Sequence, residues 1–452
     1  MKRNFYILLS ACVGLILTSC MDNDTPITYE VSKDAQIYDF SVSNDSIEGL
    51  GDVKFSIDQL AGLIYNRDSL PFGTKVEDVI CSITTKSASK IEVKETYPTD
   101  TTFTWKAEDS VNFAKPVVFN VYAADLTTTK SYKAFINVHQ INPDSMFWNQ
   151  TVEGVFGSVI NGQKTVKVSD GVYYSYVRSG TTTSVYKTQN GDMSVWAQQS
   201  LTGFPSTEAV MESITRFGEQ FVVNTDKGAL YVSNDGINWN NTNAPYTITS
   251  VLGAYIPGQS TKPVLSVVIN KGSQYFFAAT SDLSNYKVGG AVLAGFPIKG
   301  FGSYTYTSFY NERLMLAGGK DINNETISAV WSSMTDGTDW ALTSANGTAA
   351  FGRKEGVAVT QYGNSIYLVG GITDSGIASK EIYTSKDFGY SWNLVDTLID
   401  LPTSYKARGY IDATTVGEKL YLIGGSNNTT WFNEVWSGFL LSAAEEIRAN
   451  NN

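Results

Sequence analysis

Histidine and cysteine are scarce in this chain. Its 452 residues include one histidine, His139, and three cysteines, Cys12, Cys20 and Cys81. A single imidazole excludes every site that needs two histidine ligands and argues strongly against a Ser-His-Asp triad in the C-terminal repeats. Cys81 lies among strand-forming residues, which favours a buried apolar thiol without a disulfide partner. We expect no metal site and no cofactor.

Basic residues are also few. Lys and Arg together number 33 against 44 Asp and Glu, so the net charge is −11 at pH 7. Nucleic-acid binding draws most of its affinity from clustered Lys and Arg, so we exclude nucleic acid as a partner. Aromatics make up 13% of the chain and glycines number 39. This composition is typical of an all-β protein, because it is rich in strand formers and turn formers.

The only long apolar run is at the N-terminus, over residues 5–17, and it is too short to span a bilayer as a helix. Two basic residues precede it, which predicts a signal peptide over residues 1–19. Its end, Leu17-Thr18-Ser19-Cys20, resembles a bacterial lipobox, in which small residues precede the cysteine that is acylated. The resemblance implies lipidation of Cys20 and a membrane as partner. An ordinary secretory signal that ends near a cysteine is the alternative.

Residues 20–33 are a predicted tether. Within it, Met21-Asp22-Asn23-Asp24 resembles the acidic export tag with which Bacteroidetes send lipoproteins to the cell surface. The resemblance implies an outer-membrane protein on the cell surface, with the periplasmic face as the alternative.

The next segment, residues 34–141, alternates apolar and polar residues over short runs separated by Asn, Asp, Gly and Pro. This period of two predicts half-buried antiparallel strands and an immunoglobulin-like β-sandwich. Residues 64–74 resemble a segment common in Bacteroidetes lipoproteins in which a sandwich domain accompanies a propeller. His139 follows the last of these strands, so we expect a surface or packing histidine.

The rest of the chain is repetitive. Strand-final aromatics recur at intervals of roughly 43 to 54 residues, the period of four-stranded propeller blades. They are Trp148, Trp196, Trp239, Tyr286, Trp340 and Trp392. We therefore predict a six-bladed β-propeller over residues 145–441, followed by a polar tail over residues 442–452.

Two motifs within the repeats resemble known propeller families. The stretch from Ser385 to Trp392 fits the Asp-box pattern S-x-D-x-G-x-S-W at every position. The later blades resemble kelch repeats, because a Gly-Gly pair ends one strand and an aromatic follows on the next. Paired glycines let a buried strand turn sharply where a side chain would clash. The three pairs are Gly318-Gly319, Gly370-Gly371 and Gly424-Gly425.

The final repeat contains inner strands but no outer Trp-Asn strand. Such a strand stands unclaimed at 146–150, before the first full repeat. We predict that it completes the sixth blade, which joins the two ends of the domain in one sheet and removes exposed strand edges.

Asp-boxes occur in sialidases and kelch blades in galactose oxidase, so both enzyme classes need a test. Asp-box residues cap a turn and do not react. The propeller has few arginines, none in the Arg-Ile-Pro motif of sialidases, and it has neither the cysteine nor the histidines of a galactose-oxidase copper site. A hydrolase that needs only two carboxylates remains open.

One face of the predicted propeller collects candidate ligand-binding residues. Arg353 and Arg408 lie in loops that enter innermost strands, and Lys299 lies in a comparable loop after Gly295-Phe296-Pro297. Trp431 lies in the 427–433 loop of the same face. Aromatics beside cationic groups recognise sugars and carboxylates through stacking and charge-assisted hydrogen bonds. The alternative is that Trp431 packs between blades and the arginines pair with nearby acids.

The favoured interpretation is a non-catalytic binding or scaffold lipoprotein of the cell envelope, whose ligand is a glycan, another polymer or a protein. The alternative enzyme is a carboxylate-dependent glycoside hydrolase or lyase on the propeller. A purely structural role in an envelope complex is also open.

Overall fold

The computed structural model of the chain describes residues 30–157, 159–188, 191–258, 260–308, 311–333, 335–344 and 351–450. The predicted signal peptide, Cys20 and most of the tether lie outside these residues. The chain divides into two compact units, Met1–Asn142 and Pro143–Asn452. Among the described residues, no helix has both the length and the apolarity to cross a membrane.

The described part of the first unit, from residue 30 onward, is a β-sandwich of nine strands. A three-stranded sheet in the order β1-β4-β7 faces a six-stranded sheet in the order β2-β3-β9-β8-β5-β6. The strands are β1 (Ile37–Ser43), β2 (Phe55–Asp58), β3 (Leu63–Asn66), β4 (Val79–Thr85), β5 (Ala88–Glu95), β6 (Thr101–Thr104), β7 (Ser110–Val111), β8 (Val117–Ala123) and β9 (Thr129–Phe135).

Strand β8 shows why these residues form a sandwich. Its alternate residues from Val117 to Ala123 are buried, as the period of two predicts. Phe40 of β1 meets Phe119 of β8 edge to face at 5.7 Å between ring centroids, so the two sheets share one core. His139 is exposed, and its backbone N–H donates to Leu70 O at 2.9 Å.

Segment 64–74 is held by a buried amide. Asn66 is 0% exposed, and its side chain accepts from the N–H of Asn137 at 2.5 Å and donates to the carbonyls of Asp68 and Asn137. These bonds fix the chain where it leaves β3. The motif is therefore explained by packing within this unit.

Cys81 lies in β4 and is 1% exposed. Burial, followed by the charge of Glu95, raises the pKa of its thiol to about 12. The thiolate is the reactive species, so at pH 8 only about one molecule in ten thousand carries it. We expect iodoacetamide to leave Cys81 unmodified in native buffer and to alkylate it rapidly in guanidinium, as measured by intact mass. Rapid alkylation of the native protein would contradict the buried position.

The second unit contains 26 strands among the described residues, and most of them belong to six four-stranded antiparallel sheets. The strands of the first three sheets are β11 (Gly162–Ser169), β12 (Val172–Ser179), β13 (Thr182–Thr188), β14 (Trp196–Ser200), β15 (Thr215–Phe217), β16 (Gln220–Asn224), β17 (Leu230–Ser233), β18 (Trp239–Asn241), β19 (Thr247–Tyr255), β20 (Val264–Lys271), β21 (Gln274–Thr280) and β22 (Lys287–Ala291). The remaining strands are β10 (Met146–Glu153), β23 (Gly302–Ser308), β24 (Asn311–Ala317), β25 (Val330–Ser333), β26 (Trp340–Ser344), β27 (Lys354–Glu355), β28 (Ala358–Tyr362), β29 (Ser365–Val369), β30 (Ile372–Thr373), β31 (Ile382–Ser385), β32 (Asn393–Leu394), β33 (Asp412–Val416), β34 (Lys419–Ile423) and β35 (Glu434–Leu440).

Each four-stranded sheet is one blade of a β-propeller, so the predicted fold class is confirmed. Blades 1 to 4 are β11–β14, β15–β18, β19–β22 and β23–β26, while blade 5 is β28-β29-β31-β32. First strands of successive blades contact one another from β11 to β33, which places them around a central channel.

Blade 6 closes the ring as predicted. Its order is β10-β35-β34-β33, and β10 pairs antiparallel with β35 from Met146↔Leu440 to Glu153↔Glu434. A Cβ on Gly438 would lie 2.8 Å from the ring of Trp148, so this glycine makes room for the indole of the closing strand.

The predicted polar tail is instead helical. Residues Leu441–Asn450 form helix α1, whose Ala443 and Ala444 are buried. Glu446 accepts from the N–H of Asn364 at 2.8 Å, and Arg448 pairs with Glu418 at 2.5 Å. Small residues at the contact let the helix pack against blades 5 and 6. Because the other residues of the segment are mostly polar, its composition does not indicate this packing.

Five blades share an aspartate turn between their third and fourth strands. The carboxylate accepts hydrogen bonds from the residues that follow, and the next residue has a left-handed backbone. In blade 3, hydrogen bonds from Asn285 and the N–H of Ser284 lower the pKa of Asp282 to about 2. The aspartates are Asp192, Asp235, Asp282, Asp336 and Asp387.

Candidate functional site

The face that carries the connections into the first strands is asymmetric; we call it the entrance face. Between second and third strands, blades 1 to 3 have short turns at residues 180–181, 225–229 and 272–273. Blades 4 to 6 instead have three longer segments, which we call the wall loops: residues 318–329, 370–381 and 424–433.

Each wall loop folds back on itself and pairs with the segment that enters the first strand of its blade. These backbone pairs brace the loops beside the channel mouth. The pairs are Lys299↔Lys320 with Lys320↔Thr326, Lys354↔Thr373 with Ile372↔Ala378, and Gly409↔Ser426 with Ser426↔Trp431.

Two cavities meet at the channel mouth. The outer cavity, of about 300 Å³, is lined by blades 1 to 4 and includes Glu212 and Lys299. The channel cavity, of about 290 Å³, is lined by first strands of the blades. Both include Lys164, Thr215 and Phe301, so the outer cavity leads into the channel. Concave, partly apolar space with a few polar groups is the usual form of a ligand site.

A cluster of polar groups lies beside the outer cavity. Glu355 accepts a hydrogen bond from Tyr410 Oη at 2.8 Å and pairs with Lys320 Nζ at 2.6 Å. A Cβ on Gly300 would lie 3.4 Å from Tyr410 Oη, so the pair packs against the chain next to Lys299. We call Lys299, Lys320, Glu355 and Tyr410 the entrance cluster.

The charge of Glu212 also influences this cluster. Burial, then the charge of Glu355, and also the charge of Glu212 raise the pKa of Tyr410. Tyr410 therefore stays a neutral phenol that donates to Glu355. Its φ of 52° is left-handed, which costs energy for a residue with a side chain and is often tolerated at functional sites.

An ion pair with a buried carboxylate lies where the two cavities meet. Lys164 of blade 1 is 3.0 Å from Asp412 of blade 6, and the N–H of Thr165 donates to the same carboxylate at 2.5 Å. Burial raises the pKa of Asp412, although Lys164 opposes the shift. The pair joins the first and last blades, so we assign Lys164 a structural role in closing the ring.

Arg408 does not contact the cavity. It is 1% exposed, and its guanidinium donates to Glu434 Oε1 at 2.5 Å and to two backbone carbonyls. The rings of Phe432 and Tyr405 lie 3.7 and 4.2 Å from its charged centre. All its faces are occupied within the protein, so it takes the structural role that was the alternative to ligand binding.

The residue equivalent to Arg408 is Lys354, not Arg353. Lys354 is 4% exposed and pairs with Glu381 at 2.5 Å, as Arg408 pairs with Glu434 in the next blade. Arg353 is exposed, forms no hydrogen bond or ion pair with the described residues, and is not among the residues that line either cavity. Arg353 and Arg408 therefore differ in burial and in partners, and neither lines the outer cavity or the channel cavity.

Lys299 and Trp431 both lie beside the entrance cluster. Lys299 is exposed and lines the outer cavity. Trp431 is half-buried, and its ring lies 6.5 Å from that of Tyr410, a member of the entrance cluster. Their ligand contacts remain predictions.

Family models account for nearly the whole described chain. Residues 142–444 match the DUF6242 beta propeller domain, and residues 23–136 match the DUF6242 N-terminal domain, a domain of unknown function. The chain belongs to the DUF6242 family. No curated protein matches it. A solved structure, described as "Structure of YjhT", is similar at 12% identity and a TM-score of 0.45, covering 63% of this chain and 95% of that one.

The DUF6242 propeller holds functional candidates that the sequence patterns missed. Glu355 follows Lys354 and occupies the position of Lys299 in the preceding blade. Glu355 lies 15 residues before its glycine pair and Lys299 lies 19 before its own, so sequence spacing hides an equivalence that only the strand pairing shows. Glu212, in the 3-10 turn Met211–Ser213, has no repeat equivalent and carried no signal in the repeat pattern. Among the described residues no group of three or more His, Cys, Asp or Glu could hold a metal.

Proposed function

We propose that this DUF6242 protein is a cell-envelope lipoprotein whose propeller is a non-catalytic binding module for a glycan or another polymer. The observation that carries the proposal is the outer cavity, which is partly apolar and is lined by Lys299 and Glu212. The aromatic residues Tyr410 and Trp431 lie near it, because Tyr410 packs against Gly300 of its lining and Trp431 lies 6.5 Å from Tyr410 between ring centroids. Such sites bind sugars by stacking and by a few placed hydrogen bonds.

The chemistry of the entrance cluster suits binding. Glu355 is held by Lys320 and Tyr410, so its carboxylate is positioned before any ligand arrives. Pre-positioned groups lose little entropy on binding, which raises affinity without new contacts.

The binding test is a glycan-array screen of the fragment from residue 34 onward, followed by calorimetry with any ligand found. We expect Trp431→Ala to weaken binding by about 1–3 kcal/mol, the range for an anchor aromatic, and to leave the melting temperature nearly unchanged. Phe388→Ala is the matched control, because this exposed aromatic lies at an aspartate turn away from the entrance face. Equal binding by wild type and Trp431→Ala would remove Trp431 from the site.

A carboxylate-dependent glycoside hydrolase or lyase is the second candidate. The observation in its favour is that Glu355 accepts a hydrogen bond from Tyr410 Oη and that the charge of Glu212 also raises the pKa of Tyr410. Acid and base roles in such enzymes need two carboxylates that flank the scissile bond. Product analysis by chromatography after incubation with array hits decides between the two, and loss of products in Glu355→Gln would favour the enzyme.

We further propose the finer assignments that the sequence suggests. These are lipidation at Cys20, a surface position on the outer membrane of a Bacteroidetes cell, an immunoglobulin-like sandwich, and kelch and Asp-box character in the blades. The aspartate turns and glycine pairs support the last assignment, because they recur at equivalent positions.

The anchor has its own test. We expect Cys20→Ala to stay unlabelled by a fatty-acid probe and to leave the membrane fraction, since several acyl chains on one terminus supply stable anchoring. Cys12→Ala is the control, because Cys12 lies within the predicted signal peptide. Membrane retention of the Cys20→Ala protein would contradict the anchor.

A further inference from the structure

Some charged side chains around the outer cavity form ion pairs within the protein and others do not. Lys164 pairs with Asp412 and Lys320 pairs with Glu355. Lys299 and Glu212 line the same cavity, are exposed, and have no side-chain hydrogen bond or ion pair with the described residues. One cation and one carboxylate are therefore left for a ligand.

Much of the outer cavity is lined by blades whose connections on the entrance face are short. Asn224 of blade 2 and the stretch from Thr249 to Gly253 of blade 3 line it. Their blades carry the short turns 225–229 and 272–273, whereas the wall loops rise over blades 4 to 6. A polymer ligand with one end in the cavity would lie beside the entrance cluster at that end. The rest of the polymer could extend over the short turns of blades 2 and 3.

We infer that the outer cavity binds the terminal unit of a carboxylate-bearing glycan, which rests on the proposed binding function. The carboxylate pairs with Lys299, hydroxyl groups donate to Glu212, and the rest of the chain leaves over blades 2 and 3. A volume of about 300 Å³ lies at the lower end for ligand sites, so it holds an end unit and not a long internal segment.

The floor of the cavity suits hydroxyl groups. Ser213, Thr215 and Ser303 line it beside apolar residues. Asn224 is 1% exposed, and its Oδ1 has no hydrogen-bond partner among the described residues. A buried acceptor without a donor is unfavourable, so a side-chain movement that brings this oxygen to a ligand hydroxyl would be favourable.

The charge arm of the test uses galacturonate and glucuronate with the neutral sugars galactose and glucose, measured by calorimetry on the fragment from residue 34 onward. Lys299→Gln should weaken uronate binding about tenfold or more, as for loss of a charge-assisted hydrogen bond, while Lys299→Arg retains it. Lys262→Gln is the control, because this lysine is exposed and does not line either cavity. Equal binding of neutral sugars and uronates, or no effect of Lys299→Gln, would overturn the carboxylate.

The geometry arm uses oligogalacturonides of one to six units, free or with a fluorophore at either end. Affinity should stop rising after about two units, and a label at one end should abolish binding while a label at the other is tolerated. Affinity that rises steadily with length, or tolerance of both labels, would show internal binding and overturn the end-unit site. Binding of carboxylated peptides in place of sugars would also overturn it.

The two arms separate this inference from the proposed function. If glycans bind, and Trp431→Ala lowers their affinity but Lys299→Gln does not, the binding function stands and the carboxylate assignment fails. If no sugar on the array binds, both fail together. Unchanged melting temperatures of the Lys299 variants show that lost binding is not lost folding.

Discussion

Deletion of residues 144–152 is expected to abolish the cooperative unfolding of the propeller. The deletion removes all of β10 except Glu153 and nearly the whole ladder with β35, so blade 6 exposes an unpaired strand and the two ends of the domain are no longer joined in one sheet. It also removes Trp148, whose indole N–H donates to Ile399 O at 3.1 Å. Differential scanning calorimetry of the chain from residue 34 onward should then show only the transition of the sandwich unit.

A nine-residue Gly-Ser replacement of the same segment is the matched variant, because it preserves chain length and removes only the strand. Phe147→Ser is the control for a surface change, since Phe147 is 47% exposed on the same strand. If a fragment that begins at residue 155 melts as cooperatively as one that begins at 141, the ring closes without β10 and the assignment of the seam is wrong.

The closure was predictable because it follows from counting. The last repeat lacks the outer strand with its aromatic, and the strand around Trp148 precedes the first full repeat and has no repeat of its own. This strand therefore completes the last blade, as its pairing with β35 shows. The helix at Leu441–Asn450 was missed for the opposite reason. Its contacts are made by Ala443, Ala444 and two long charged side chains, so the segment has a polar composition and little apolar periodicity.

The site was predicted only in part. Lys299 lines the outer cavity and Trp431 lies beside Tyr410, but Arg353 and Arg408 do not occupy equivalent positions in their entry loops. An entry loop is an extended segment in which neighbouring side chains point to opposite sides, so a shift of one residue exchanges Lys354 for Arg353 and a buried cation for an exposed one. The burial of Arg408 also depends on its ion pair with Glu434, which is distant in sequence and lies on strand β35, so the entry loop alone does not reveal it.

Arg408→Ala is expected to destabilise the propeller by about 3–5 kcal/mol, the cost of removing one partner from a buried ion pair. The change leaves Glu434, whose side chain is 15% exposed, without its cation, and it strips the carbonyl of Gly424 of a donor. Total stabilities are only about 5–15 kcal/mol, so the loss should be visible as a lower urea midpoint followed by tryptophan fluorescence.

Arg353→Ala is the matched control, because Arg353 is exposed, and its effect should stay within about 0.5 kcal/mol. The double variant Arg408→Met with Glu434→Leu gives the sharper test. A buried ion pair replaced by apolar residues is often neutral or stabilising, and the rings of Phe432 and Tyr405 already offer Met an apolar site. The double variant should therefore recover most of the stability lost in Arg408→Ala and should bind ligand as wild type does. A stable double variant that no longer binds would return Arg408 to the ligand site, because only a direct contact would then explain the loss.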